Sequence, residues 1–561
     1  MTDTAQAWTP EPILIREIEE QFERAIGSYR ADPKLIVEHA NLEESIRVGG
    51  YANRTLLELV QNAADAMAGT TPGSDELGRV EIVLDPSSKT LYCANSGRGF
   101  SKQGLEAMAH AYLSAKRGDE IGRFGLGFKS VLALTDSPQV LSRSVSFEYN
   151  SPIAKTAIRE VGSGARRLPV LRTATLLDAG ESIARDATLG ELASWATTVI
   201  RLPGILHVDR IQAEMRTFAS EFLLFVGAVR EIHLRVLGDQ GFETSHVSRD
   251  MGLGRFKIER PDGSGDEWIV GDRMHAPSPS ARREVGEAVS RDEIKISVAV
   301  PLRPRRAGLR EKDDRGTQVG QFWSYFPLQD NTSATGFFNA PWSVNDDRTT
   351  LLRNEYNREI LATMAEVFLE LVPQVRTAED PAAHLDYLPA RGREERSYGD
   401  SILCADVPRL AGQGGLVPDS AGTLLSAAEL VPLDFAVIDD LKIDESVHKA
   451  WIESPNTGGD VPHWKCYSSS QRVLRLSEGF PASSHPALFV GDAGPRARRI
   501  EMALRSLPKR GMLSWLREWA EGTHLISTAN ALRFCFDRRT NPTVIEAKVI
   551  PTSSGAKALK D

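Results

Sequence analysis

Glu58, Asn62 and Asp65, in the stretch ELVQNAADAM, place a carboxylate, an amide and a second carboxylate at i, i+4 and i+7. At 3.6 residues per turn these positions fall within a narrow arc of one helical face. Leu56, Leu59, Val60, Ala63 and Met67 are then left to face a sheet. Alone, such a row reads as a solvated polar stripe. Two glycine patches downstream enlarge what it can do. NSGRGFS follows an apolar strand and carries Gly97 and Gly99, where a missing Cβ permits positive φ and a close backbone approach to a ligand. On its own it reads equally well as a turn. GRFGLGFKS carries Gly122, Gly125 and Gly127 just ahead of an apolar helical stretch. Free N–H groups at a helix start, exposed by glycines, make an anion site suited to phosphates. It is not a P-loop: Phe128 intervenes between Gly127 and Lys129-Ser130, one residue out of place for GxxxxGK[ST]. Neither patch supplies a GxGxxG in a parallel βαβ unit, so a Rossmann fingerprint is also excluded.

The ordered set fits another pattern. ExxxNxxD on a helix, xxGxG after a strand and GxxGxG before a helix resembles the GHKL ATPases, which include gyrase B, MutL, histidine kinases and the heat-shock-90 chaperones. Within them, ELVQNAADA and IGRFGLGFKSVLAL are most similar to the sacsin-type N-terminal ATP-binding domain of large bacterial proteins. The resemblance covers residues 45–205. It extends through 206–378, where FFNAPWSVNDDRTTLLRNEYNREIL is similar to a recurrent segment of sacsin-like bacterial proteins, and it does not reach the last third.

The resemblance implies a Bergerat-fold sandwich that binds ATP and Mg2+. Glu58 then takes the position of the general base that polarises the attacking water. Asn62 takes that of the Mg2+ ligand, and Asp65 orients the pocket. Gly97 and Gly99 line the adenine and ribose side. Gly122, Phe124, Gly125, Leu126, Gly127 and Phe128 form the phosphate cradle. The stretch FSKQGLEAMAHAYLSAKRGDE becomes a lid, with Lys116 a phosphate contact. Thr197 corresponds to a strand threonine that touches adenine, although a β-branched residue in a strand needs no such reason. Asn95 stands where the family usually has an aspartate that accepts from the adenine amino group; an amide loses the charge and adds a donor. Arg348, with Arg353 behind it, is the candidate γ-phosphate contact from outside the nucleotide domain, or else an ion-pair partner of Asp346 or Asp347.

The elements that must position these residues follow from periodicity. Residues 11–68 read as mostly helical, and RVEIVLDPSSKTLYCAN as two strands around a Pro-Ser-Ser turn. Strands that come in hairpins predict an α+β fold with a largely antiparallel sheet. At 561 residues the chain is too long for a single core. We read an ATP-binding domain over 1–205, an α/β middle domain over 206–378, a polar Pro-containing linker over 379–400, and a mixed C-terminal domain over 401–561. The last holds an echo, LVPDSAG near 416 and VIPTSSG near 549, and its position near the chain end suggests the front part of a longer protein.

Composition is ordinary, 41% hydrophobic and 25% charged, and the net charge of -9 disfavours a whole-protein polyanion binder. Cys93, Cys404, Cys466 and Cys535 match no zinc spacing or disulfide framework, and His463 with Cys466 is an isolated HxxC. The opening MTDTAQAWTPEP is not a signal peptide, and no stretch nears the roughly 20 apolar residues of a membrane span. A soluble, cytoplasmic protein is expected. The reading is a slowly hydrolysing ATPase switch, chaperone-like, acting on a protein client or partner and compatible with a homodimer. The rival is a DNA-associated ATPase, possible in a bacterial defence system, supported by the basic helix GPRARRIEMALRSLPKRG.

Overall fold

The computed structural model describes residues 8–48, 55–68, 78–109, 128–162, 165–286, 291–303, 320–345, 349–389, 397–419, 421–426, 462–468, 472 and 548–558. The first strands form where expected. β1 (Arg79–Asp85) and β2 (Thr90–Asn95) pair antiparallel around a turn that Asp85 fixes by accepting the Ser87 N–H at 2.9 Å. β3 (Gln139–Ser142), β4 (Phe147–Glu148), β5 (Thr175–Leu176) and β6 (Thr198–Leu202) extend this sheet beyond β2 in the order β2-β6-β3-β4-β5.

On the other side β1 pairs in parallel with β7 (Glu231–Val236). Beyond it come β8 (Phe242–Gly252), β9 (Arg255–Glu259), β10 (Gly265–His275), β11 (Ile294–Pro301), β12 (Gly320–Ser324), β13 (Phe326–Thr332) and β14 (Phe337–Asn339). All fourteen belong to one sheet, in which only β1–β7 and β12–β14 are parallel. The α+β class with a mostly antiparallel sheet is therefore observed. The sheet runs without a break past residue 205.

Helices cover the first sheet on both faces, so β1 and β2 are buried on both sides. α1 (Pro12–Ala31) and α3 (Thr55–Met67) pack with Val80, Ile82, Leu84, Leu91 and Cys93 on one face. α2 (Lys34–Val48) lies against a 3-10 helix, Phe128–Ala133. α4 (Lys102–Ala109) and α5 (Pro152–Val161) both contact α1. α6 (Ala179–Arg185) and α7 (Ala187–Ala193) cover Val83, Tyr92 and Ala94 on the opposite face.

α8 (Val208–Arg216) leads into the second half, where α9 (Pro279–Val285), α10 (Glu355–Leu371) and α11 (Tyr398–Gln413) build a separate apolar cluster on β10, β11 and β12. Trp464 and Cys466 belong to that cluster. The described part of the 379–400 segment also packs there: the Tyr387 hydroxyl donates to Pro301 O at 2.8 Å, and Arg472 bridges Asp380 and Asp386. The two echoed sequences both form hairpins, β15 (Val417–Pro418) with β16 (Leu424–Leu425), and β17 (Lys548–Thr552) with β18 (Gly555–Ala558). No helix among the described residues is long and apolar enough to cross a membrane.

Candidate functional site

α3 is not a surface helix with a wet stripe. Glu58 is 3% exposed and Asp65 is 5% exposed, together with the apolar residues read as facing the sheet. Carboxylates are rarely buried this far unless they are paired. Asn62, between them, is half-buried, and its Nδ2 is buried with no hydrogen-bond partner. Leaving such a donor unmade costs about 1–3 kcal/mol, so the fold retains an amide N–H that no described group uses.

The two ends of α3 meet the two sequence patches. At its start, the Thr55 hydroxyl donates to Ser130 O at 3.3 Å, within the 3-10 helix that follows the second glycine patch. At its end, the Arg98 N–H donates to Ala66 O at 2.9 Å and the Arg98 guanidinium to Ala68 O at 2.8 Å, satisfying carbonyls of the last turn. A Cβ on Gly97 would lie 2.8 Å from Ala66 C, and one on Gly99 2.8 Å from Ser144 Oγ. Neither glycine has positive φ. Both are needed for close packing on α3 and on the Ser144 loop, rather than for the left-handed conformation expected.

Asn95 ends β2 and is buried; its Oδ1 accepts the Gly97 N–H at 3.0 Å. The β2–β6 register pairs Asn95 with Thr198, so these two side chains share a face. Thr198 donates to Ser142 Oγ at 3.0 Å, and Ser142 lies 3.3 Å from Ser144 Oγ. Thr197 precedes the strand, and what it offers Asn95 is a backbone N–H, donated to Asn95 O at 2.9 Å. The hydroxyl beside Asn95 is therefore that of Thr198, one residue on from the expected one. Side chains alternate along a strand, so a shift of one reverses the face. Ser142 and Ser144 were not anticipated; the alternation of serines in LSRSVSF was the available signal.

The second patch leads into a shorter element than expected. Phe128–Ala133 is a six-residue 3-10 helix. Thr135, Asp136, Ser137 and Pro138 follow after Leu134, and no helix continues through them. Phe128 joins an aromatic group, its ring 6.2 Å from that of Tyr149. Lys129 is buried. Burial, and then the Arg172 charge, push its ammonium down to about 8 against the pull of Glu43. Burial likewise raises the Glu43 carboxyl, although it accepts the N–H groups of Val170 and Leu171 at 2.7 and 2.8 Å. Nothing in GFKS marks this lysine as an interior one. Lys116, Gly122, Phe124, Gly125, Leu126, Gly127 and Arg348 lie outside the described residues. Arg353 is described; its guanidinium sits 5.9 Å from the centroid of the Tyr398 ring.

Among the described residues no group of three or more His, Cys, Asp or Glu side chains is placed to hold a metal. His463 instead caps a turn, its Nδ1 accepting the Lys465 N–H at 3.2 Å. The polar face of α3 does fit Mg2+ held in the way that ion favours, by one or two protein oxygens with waters and substrate phosphates completing the shell. Asn62 Oδ1 is an oxygen of that kind, on the amide whose Nδ2 has no partner among the described residues, and Glu58 precedes it by one turn.

No family model matches the chain. Curated proteins similar to it are the CTP synthases of Mycobacterium tuberculosis strain CDC 1551 / Oshkosh, of Mycobacterium tuberculosis strain ATCC 25177 / H37Ra and of Mycobacterium bovis strain BCG / Tokyo 172 / ATCC 35737 / TMC 1019. Each is 24% identical over 278 residues, which cover 48% of this chain and 41% of the relative. The chain thus spans about two fifths of the length of the curated relatives it matches. This overturns the assignment to the GHKL ATPases and to their heat-shock-90 and sacsin branch. The similarity found runs to CTP synthase, and three short boxes in order, each common by itself, do not establish descent.

Proposed function

We propose that this protein binds a nucleoside triphosphate with Mg2+ along the polar face of α3, hydrolyses it slowly, and uses the cycle as a conformational switch. ATP is the triphosphate that the sequence reading expects. The observation that carries the proposal is the pair of buried carboxylates, Glu58 and Asp65, on either side of an amide whose Nδ2 has no partner among the described residues. In the proposed roles Asn62 ligates Mg2+, Glu58 accepts a proton from the attacking water, and Asp65 orients the pocket at the end nearer Asn95. A carboxylate held away from bulk water and pre-positioned suits proton abstraction. The similarity to CTP synthase, a name that contains a nucleoside triphosphate, supports nucleotide handling without identifying the reaction.

The switch reading rests on the sheet. β1 neighbours β2, which carries Asn95, and is also the strand that pairs with β7. A change around α3 therefore bears on the strand shared by both halves. We keep the division into 1–205, 206–378, 379–400 and 401–561 as part of this proposal, with a protein partner as the recipient of the motion. The basic stretch 494–511, on which the DNA-associated alternative leaned, lies outside the described residues.

Steady-state phosphate release with and without Mg2+, measured on the full chain and on Glu58→Gln, tests the proposal. Slow Mg2+-dependent hydrolysis is expected from the wild type. In Glu58→Gln it should fall by about 100-fold or more while nucleotide binding is retained. Turnover equal to wild type in that variant would remove Glu58 from the chemistry.

A further inference from the structure

We infer that His275 and Glu359 form a binding site for a first-row divalent transition ion, with Zn2+ as the test case. The pair belongs to the second half of the molecule and does not depend on the reading of α3. His275 is the last residue of β10. Glu359 and Thr363 stand one turn apart on α10, which packs on that strand.

The tautomer of His275 follows from a count of hydrogens. The Thr363 hydroxyl has one hydrogen and two contacts, Glu359 O at 3.2 Å and His275 Nδ1 at 3.0 Å. A carbonyl only accepts, so both bonds form only if the hydroxyl donates to Glu359 O and Nδ1–H donates to the hydroxyl. The other tautomer makes one of these bonds and leaves Nε2–H facing Glu359 Oε2 at 3.7 Å, beyond hydrogen-bond reach. With the proton on Nδ1, Nε2 is a bare lone pair. It is buried without a hydrogen-bond partner among the described residues and is aimed at a carboxylate oxygen. Burial pushes the pKa of the ring down against the pull of Glu359, which favours that bare nitrogen. Two acceptors set face to face call for a cation between them.

The spacing suits an ion better than a proton. An N–H···O bond would draw the two atoms to about 2.9 Å. Two metal bonds of about 2.1 Å meeting at a tetrahedral angle span about 3.4 Å, nearer to the separation found. The supports are also those of a ligand pair. Nδ1–H is held by the Thr363 hydroxyl, and Glu359 Oε2 accepts the Ser278 N–H at 2.9 Å. An imidazole nitrogen with a carboxylate oxygen selects Zn2+ and its neighbours over Mg2+ and Ca2+, which take oxygen. The two side chains keep 15% and 18% exposure, so waters can complete the shell.

Calorimetric titration of Zn2+ into the chelator-stripped full chain tests this, on the wild type and three variants. His275→Asn keeps a donor for Thr363 and removes Nε2, and Glu359→Gln keeps an acceptor for Ser278. Each should weaken Zn2+ binding by about 100-fold or more, and Thr363→Val, which frees the tautomer, by about tenfold. A wild type that binds no Zn2+ overturns the inference, whether or not the variants fold. So does an isotherm unchanged in His275→Asn or in Glu359→Gln. Co2+ bound to the wild type gives a second reading that needs no variant. It should absorb without the sulfur charge-transfer band of a cysteine site, and that band would place the ion elsewhere and overturn the inference.

Discussion

Asn62 on α3 and Asn357 on α10 are the same residue in the same setting, a helical asparagine on a largely buried face, and the fold treats them oppositely. Asn357 is fully buried and satisfied: its Oδ1 accepts the Ser343 N–H at 3.0 Å, and its Nδ2 donates to Ser343 O and Leu352 O at 2.6 and 2.7 Å. It fastens the 343–352 loop to α10. Asn62 has a buried Nδ2 with no partner. Asp400, also buried, likewise has its Oδ1 taken, by Thr332, Ser333 and Cys404. A buried polar group with every bond made serves the fold, and one left short is kept for something the fold does not contain.

The comparison breaks first at Asn357. Asn357→Ala takes from the Ser343 N–H its acceptor and from the Leu352 carbonyl its donor, while Ser343 O keeps the Leu352 N–H, and it should cost about 3 kcal/mol of stability in denaturant unfolding. It should leave nucleotide affinity per folded molecule unchanged. A cost below about 1 kcal/mol would mean that a complete bonding pattern does not mark a structural role.

Lys129 sharpens the comparison from the first half of the molecule, because it is a buried cation on the 3-10 helix that abuts α3. Its ammonium titrates near 8 in the folded chain, against an ordinary value of 10.5. Between those values the unfolded chain holds the extra proton, so stability rises with pH through this window, and the penalty is fully present below about 8. Lys129→Met should raise stability at neutral pH by about 2 kcal/mol and flatten the rise towards pH 10, in paired denaturation curves. Parallel curves for the two proteins would show that Lys129 is solvated.

Much of this contrast was legible beforehand, and the part that was not has a physical reason. Apolar periodicity marked α3, and the two strands read around the Pro-Ser-Ser turn became β1 and β2. The hydrophobic-Pro-x-Ser-x-Gly echo became two hairpins. That Thr198 and not Thr197 faces Asn95 was not legible, because strand register is decided by pairing across the sheet, which one strand's residues do not record. The parallel contact of β1 with β7 joins segments about 150 residues apart and leaves no local mark. The burial of Lys129 leaves no local mark because its neighbours Glu43 and Arg172 arrive from distant parts of the chain. The family assignment failed for a related reason: spacing identifies a site's chemistry better than its ancestry.

The smallest stability effect belongs to Asn62, and it is the most informative. Asn62→Leu removes the unpaired Nδ2 and adds apolar surface next to buried Leu59 and Val60, so stability should change by less than about 1 kcal/mol, in the favourable direction if at all. The loss should appear instead in the Mg2+ dependence of nucleotide binding: titrated with and without the ion, the variant should show no difference between the two conditions. A variant that is destabilised like Asn357→Ala while keeping its Mg2+ response would place Asn62 among the structural asparagines, and the polar face of α3 would have to be read as packing.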